Sequence, residues 1–374
     1  MDIAILGFDD LGKGLYELLR TKKNQIYRNY DLNIKYIYIE NNHDSISLPD
    51  VITANYNDII NDNSVSIVID TGNNINSFEY LKTAIYSRKN VITTNEDVIA
   101  NHYVELEAIA IDMGVKILFS ATLGGIPIIN TLLNQASYNE INKIEAILDS
   151  NINSIISLVS KENMSCKEAY DMLNKKNNID LFGTTQAKKL AILAMIAFNT
   201  TLNEKEIHKF PIASLEDDVI LVSNLLGYKL KYMASATLNQ FSINASVEPI
   251  LVKSDDIFSN VDYDYLMIKY YNSDNKVEAF YGTNDIKSVI NSVISDIGLV
   301  LSDYNQKFMP RNSFICNGNR HVKSRYLIKP KILNDFFKNN TEKNLDKIII
   351  TSPILGEELL AHLNEIQFYA RIID

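Results

Sequence analysis

Cysteine is scarce in this chain. Cys166 and Cys316 are the two among 374 residues, and they lie far apart with neither in a C-x-x-C pair. That excludes a disulfide framework and a thiolate metal site, and both are expected as reduced thiols. The five histidines, His43, His102, His208, His321 and His362, never fall at ligand spacing, so each reads as a surface or core residue. Glycine (13) and proline (7) are few, against 46% hydrophobic and 22% charged residues. This balance fits a globular chain rich in regular structure and excludes a disordered one. Cationic excess is also missing. The formal net charge is -10, which argues against nucleic acid or an anionic membrane as a partner. No apolar run approaches the ~20 residues that span a bilayer, and the start, MDIAILGFDD, carries acids where a signal peptide carries Lys or Arg. The expected location is the cytoplasm.

What is present is a pattern of short apolar runs alternating with amphipathic stretches, in a chain too long for one ordinary domain. Residues 2–7 (DIAILG) predict a strand ending in Gly, and the spacing from Leu11 to Leu19 predicts a helix after a tight turn. Further strands are expected at Asn33–Ile39, Ser66–Asp70, Asn90–Thr93 and Val115–Phe119, with helices over Ile75–Ser87 and Asp97–Met113. Such alternation means a doubly wound parallel sheet of α/β class. From Gly124 the texture changes. A strand at Lys143–Leu148 and a long helix at Gln186–Phe198 lead to two stretches, 229–252 and 262–283, that alternate apolar and polar residues as antiparallel strands do, and Asp285–Tyr304 returns to helical spacing. The second half is therefore α+β.

The first turn carries Gly7, Gly12 and Gly14 of a G-x-G-x-x-G dinucleotide fingerprint, with Leu11 opening the helix, but Asp9 stands at the second glycine position. There the backbone must approach a pyrophosphate at a helix N-terminus, so a Cβ and a negative charge both oppose binding. The turn is either a working site or a strand-turn-helix kept for packing. Glu40, at the end of the second strand, is either a ribose-hydroxyl acceptor that favours NAD over NADP or a solvated acid.

Later segments, read in order, resemble the homoserine dehydrogenase family. VITTNEDVIA (91–100) is similar to its V-T-A-N-K-x-x-I-A, with Thr93 and Asn95 matching. LGGIPII (123–129) matches its G-G-I-P-I-I run, and NEINKIEAILDSNINSII (139–156) resembles N-x-I-x-x-I-x-G-I-L-N-G-T-T-N-Y-I-L. GTTQAKKLAILA (183–194) is similar to G-x-D-A-A-x-K-L-A-I-L, with Gly183 and Lys189 matching, and LGYKLKYMASA (226–236) and VEPILV (247–252) fall where the family has L-G-Y-x-I-K-L-L-A and V-x-P-x-L-I.

The resemblance implies a Rossmann-type NAD(P)-binding domain over 1–123, with Gly7, Leu11, Gly12, Gly14, Glu40, Thr93 and Asn95 toward the cofactor. A catalytic and dimerisation domain follows over 124–305, then a linker over 306–324. The ending, 325–374, resembles a truncated regulatory ACT module without its Asp-x-x-Gly turn. It further implies a homodimer, an amino-acid substrate, and reduction of L-aspartate 4-semialdehyde to L-homoserine by hydride from NAD(P)H, with Lys189 as proton donor and Asp180 as a second acidic position.

Departures from the family pattern cluster at the chemistry. The Lys of T-A-N-K is Glu96, N-G-T-T-N is Asp149 to Asn153, and the catalytic Asp four residues before Lys189 is Thr185. The loop G-Y-A-E-x-D-P, whose Glu binds the substrate ammonium, is deleted between Leu173 and Ile179, and Thr283–Asn291 lacks the glycines of G-A-G-x-x-P-T-A. Two expectations follow: a dehydrogenase of weakened or redirected activity, with NAD ahead of NADP, or a non-catalytic paralogue serving as a binding partner.

Overall fold

The computed structural model describes residues 1–22, 30–40, 50–72, 76–175, 179–274, 276–302 and 307–373. The expected positions Ile75, Tyr304 and Gln306 lie outside the described residues. The chain forms two compact units, one of Met1–Ser137 with Thr283–Arg311 and one of Tyr138–Gly282 with the residues from Asn312 onward.

The first unit is built on strands β1 (Asp2–Leu6), β2 (Asn33–Tyr38), β3 (Ile52–Thr53), β4 (Val65–Asp70), β5 (Asn90–Thr93) and β6 (Ile117–Leu118), all parallel, in the order β3-β2-β1-β4-β5-β6. This is the doubly wound order of dinucleotide-binding sheets, whose ligand crevice lies at the carboxyl ends of β1 and β4, where the winding reverses. β1 and β4 read as continuous apolar runs because helices cover both faces of the sheet. Helices α1 (Asp10–Lys22), α2 (Tyr56–Ile60), α3 (Ser77–Tyr86), α4 (Glu96–Met113) and α5 (Ile129–Ala136) belong to this unit. α4 starts on the Asn95 side chain, which accepts from the Asp97 and Val98 N–H groups, and stops at Gly114 with φ +73°.

The second unit carries β7 (Ile141–Ile147), α6 (Ser150–Glu162), α7 (Cys166–Asn174), α8 (Thr184–Ala197), β8 (His208–Lys209), α9 (Asp217–Leu225), β9 (Tyr228–Leu238), β10 (Ser242–Lys253), β11 (Tyr265–Asn272) and β12 (Val277–Thr283). The next helix, α10 (Ile286–Leu301), returns to the first unit: its stripe Ile290, Val293 and Ile297 lies in one core cluster with Ile3, Ile5 and Leu15. A division drawn in order along the chain puts this helix with the second half; its apolar stripe puts it on the first sheet.

Beyond it lie β13 (Ile315–Cys316), β14 (Lys323–Pro330), α11 (Asp335–Asn340), β15 (Thr341–Leu345), β16 (Ile348–Thr351), β17 (Ile354–Leu355), α12 (Gly356–Ala361) and β18 (Ile366–Ile372). They extend the second sheet, ordered β12-β11-β7-β9-β10-β18-β14-β16-β15, by a parallel pairing of β18 on β10. The expected alternation of β9 and β10 needs a physical correction. Their polar positions are buried too, not solvated. Ser235, Ser246 and Glu248 share one face, where Glu248 accepts from Arg371 Nε at 2.8 Å, Tyr369 Oη at 3.0 Å and Ser246 Oγ at 2.9 Å. Buried polar groups of this kind persist only when paired, and the C-terminal strand supplies the partners.

Candidate active site

In the first unit the expected cofactor residues gather at the carboxyl ends of β1, β2, β4 and β5. Gly7 has φ +105°, and a Cβ there would lie 2.4 Å from Thr71 Oγ1. A Cβ on Gly12 would meet the Gly7 carbonyl at 2.5 Å, and one on Gly14 would meet Ile290 Cδ1 at 2.7 Å. Gly7 is thus required by its backbone conformation and Gly12 by the close backbone, whereas at Gly14 the end of the Ile290 side chain could give way. Leu11 packs against the apolar cluster of this unit. Asp9 behaves as a helix cap: its Oδ1 accepts the Gly12 N–H at 2.9 Å while its carbonyl accepts from Lys13 N. Glu40 Oε1 accepts from Asn76 Nδ2 at 3.1 Å and from Tyr80 Oη at 3.2 Å.

Thr93 and Asn95 are tied to a residue that the sequence reading passed over. Asp70, at the end of β4, is fully buried and accepts from Thr93 Oγ1 at 2.7 Å, Ser77 Oγ at 3.0 Å and the Gly72 N–H at 3.2 Å. Burial pushes its carboxyl above the usual range, against those three donors. Asn95 donates through its side-chain amide to the Gly72 carbonyl and through its backbone N–H to Thr93 Oγ1. The signal for Asp70 was present, since an acid ending an apolar strand beside the switch point is unusual. Glu96 sits in the first turn of α4, where a carboxylate suits the helix dipole.

The second unit assembles the other predicted pair. Lys189 is buried on α8, a helix buried almost all round, and its Nζ donates to the Leu148 carbonyl at 3.4 Å. Asp180 turns onto the start of that helix: Oδ1 accepts from the Phe182 and Gly183 N–H groups at 3.0 and 3.1 Å, and Oδ2 from Thr185 N at 2.7 Å. Gly183 has φ +76°, and a Cβ would approach Tyr232 Oη to 2.5 Å. Thr185, which stands where the family has an acid, presents its N–H to Asp180.

The structure adds Asp149 to the group. It follows Leu148, caps the first turn of α6 by accepting the Ile152 N–H at 2.8 Å, and is half-buried. Desolvation raises its carboxyl pKa, the Lys189 ammonium acts against that, and the Asp180 charge adds to it, so the three groups form one electrostatic cluster. Sequence reading noted Asp149 only as a departure from an Asn, because the approach of two elements so distant in sequence has no local signature. Gln186, a turn before Lys189, is wholly buried, and neither end of its amide has a partner.

Among the described residues no group of His, Cys, Asp and Glu is arranged to hold a metal ion, and no helix is long and apolar enough to cross a membrane.

A family profile for homoserine dehydrogenase matches residues 127–297. The homoserine dehydrogenase of Bacillus subtilis (strain 168) is 28% identical over 315 residues, which cover 80% of this chain and 73% of that protein. Among solved structures, a homoserine dehydrogenase from Thiobacillus denitrificans superposes with a TM-score of 0.86 at 21% identity, covering 100% of this chain and 98% of that one. A hyperthermophilic archaeal homoserine dehydrogenase in complex with NADPH gives 0.69 at 19% identity, over 82% and 99% of the two chains. In its sequence blocks and in its two-part fold, the chain is thus similar to homoserine dehydrogenases.

Proposed function

We propose that this chain is a homoserine dehydrogenase-type oxidoreductase of weakened turnover, acting as a homodimer on an amino-acid substrate of the L-aspartate 4-semialdehyde class. The observation that carries this reading is the grouping of the buried Lys189 with the half-buried Asp149 and Asp180 in the second unit. An ammonium donor beside carboxylates complements both halves of such a ligand: Lys189 Nζ holds a proton toward the aldehyde oxygen, and the Asp180 carboxylate attracts the substrate ammonium in place of the deleted acidic loop. Asp149 acts as a positioning residue, replacing the acid that Thr185 does not supply.

The residues present fit an NAD(P) group unevenly. Glu40 suits a ribose hydroxyl and opposes a 2′-phosphate, which favours NAD. The turn at Gly7 does not fit a pyrophosphate as it stands, because the Asp9 carboxylate already occupies the Gly12 N–H. That same bond favours a second reading, a non-catalytic paralogue that keeps the scaffold as a binding partner.

Calorimetry with NAD and NADP, oxidised and reduced, together with aspartate-semialdehyde reduction and sedimentation, tests the proposal. The expected outcome is a dimer, weak NAD binding ahead of NADP, and turnover well below the ~10 per second typical of enzymes, lost entirely in Lys189→Ala. Sub-micromolar NADP binding, or ordinary turnover that survives Lys189→Ala, overturns it. A dimer with no turnover at all selects the second reading.

A further inference from the structure

The second unit holds a pocket that neither Lys189 nor the acids around it line. Its volume is about 350 Å³, and Ile152, Ile155 and Ile156 of α6 form one wall, with Ile212 and Leu215 opposite. Leu181, the residue after Asp180, also lines it. The three α6 isoleucines and Ile212 are between 1% and 6% exposed, so the wall is core-like, and the volume falls in the range of small-ligand cavities, roughly 300–1,000 Å³.

Polar character enters from α7. Lys167 lines the pocket and makes no ion pair among the described residues, although two acids lie close in sequence or space. Both are engaged elsewhere. Glu168 closes a capping box with Ser165, bonding its N–H at 3.0 Å and its Oγ at 2.6 Å, and Asp217 accepts the Cys166 N–H at 2.7 Å. An apolar chamber with one uncommitted ammonium selects a ligand with a hydrocarbon body and a negative end.

We propose that this pocket binds a small apolar carboxylic acid, its hydrocarbon part against Ile152, Ile155 and Ile156 and its carboxylate at Lys167. The site uses none of the residues assigned to turnover, so it stands or falls apart from the oxidoreductase reading.

Titration calorimetry on the full chain with octanoate, octan-1-ol and octylammonium is the test. Octanoate is expected to bind with 1:1 stoichiometry and octan-1-ol a few-fold more weakly, as one solvent-exposed charge contact is worth ~1 kcal/mol or less. Octylammonium is expected to bind a few-fold more weakly than octan-1-ol, because repulsion by an exposed charge is of the same small size. Lys167→Met should remove the advantage of octanoate while sparing octan-1-ol. Ala213, which lines the pocket and is exposed, gives two further variants that leave the core untouched. Ala213→Trp should block both ligands, and Ala213→Glu should weaken octanoate alone. Octylammonium binding as tightly as octanoate, octanoate binding unchanged by Ala213→Trp, or no saturable binding of any probe would overturn the assignment.

Discussion

Two helix starts in this protein carry the same device to different ends. At the turn after β1 a glycine with positive φ precedes a helix, and the Asp9 carboxylate takes the Gly12 N–H. At the start of α8, Gly183 has positive φ and the Asp180 carboxylate takes the Phe182, Gly183 and Thr185 N–H groups. Each acid satisfies orphan helix donors and suits the helix dipole, so each stabilises its turn. The functional consequences are opposite. A nucleotide brings phosphate, which competes with an acid for the same N–H groups, whereas an amino acid brings an ammonium, which an acid attracts. The same cap therefore stabilises both turns, while under the proposed function it opposes the ligand at the first and attracts it at the second.

Two buried acids, Asp296 in the first unit and Glu248 in the second, also differ in what burial does to them, and the largest expected effect tests that contrast. In the first unit Asp296 accepts from the Ser120 N–H and Oγ at 2.8 and 2.6 Å, yet burial raises its pKa to about 7, and burial likewise raises Glu107 to about 7. A folded state with raised carboxyl pKa values binds more protons than the unfolded chain. Its stability is then full below about pH 4, falls as pH rises toward 7, and levels off above. For Asp296 the span is on the order of 4 kcal/mol. In the second unit, burial alone would raise Glu248, but Arg371 and the surrounding donors bring it below the usual range. Its contribution is present above the unfolded pKa and is lost as pH falls through the folded one. Hydrogen exchange resolved by unit should show the Asp296 region loosening between pH 4 and 7, an effect absent in Asp296→Asn, while the β10 and β18 pairing loosens only in acid. A first unit whose protection is flat from pH 4 to 7 would break the contrast.

The second effect concerns the Asp9 turn directly. Asp9→Gly removes the charge and frees the Gly12 N–H, and Gly is itself an acceptable cap, costing a few tenths of a kcal/mol. A charged hydrogen bond regained by a phosphate is worth ~1.5–3 kcal/mol, so NAD affinity should rise roughly 10- to 100-fold by calorimetry. If affinity does not change, Asp9 is not what opposes the dinucleotide.

Much of this organisation was legible in the sequence because it is local. The run DIAILG, the spacing after Leu11 and the apolar segments SIVID and NVIT report strand and helix directly, and the parallel order follows from their alternation. Lys189 and Asp180 stand on one helix and its approach, so their nearness too is local. What escaped reading is non-local. Asp149 joins Lys189 across 40 residues of chain, α10 returns to the first sheet, and β18 buries Glu248 from more than a hundred residues away. The alternating pattern of β9 and β10 spells strand, but nothing local marks its polar face as buried, because the strand that covers it is far away in the chain.

The smallest effect expected is at Glu40, and it sharpens the comparison because this acid is not a helix cap. Its Oε1 is held by Asn76 and Tyr80, both as donors. In Glu40→Gln the amide oxygen can keep those two bonds, so the fold of β2 and α3 should be unaffected. What changes is a single exposed charge, which under the proposed cofactor reading would oppose a 2′-phosphate. Exposed charge contacts are worth ~1 kcal/mol or less and are screened by salt. In the Asp9→Gly background, where binding is strong enough to measure, Glu40→Gln should therefore reduce the preference for NAD over NADP by at most about fivefold at low ionic strength, and the difference should fade near 1 M salt. A preference that remains unchanged at low salt would place the discrimination on other residues, and one that collapses by a hundredfold would mean that Glu40 bonds the ribose in a far drier site than its exposure indicates.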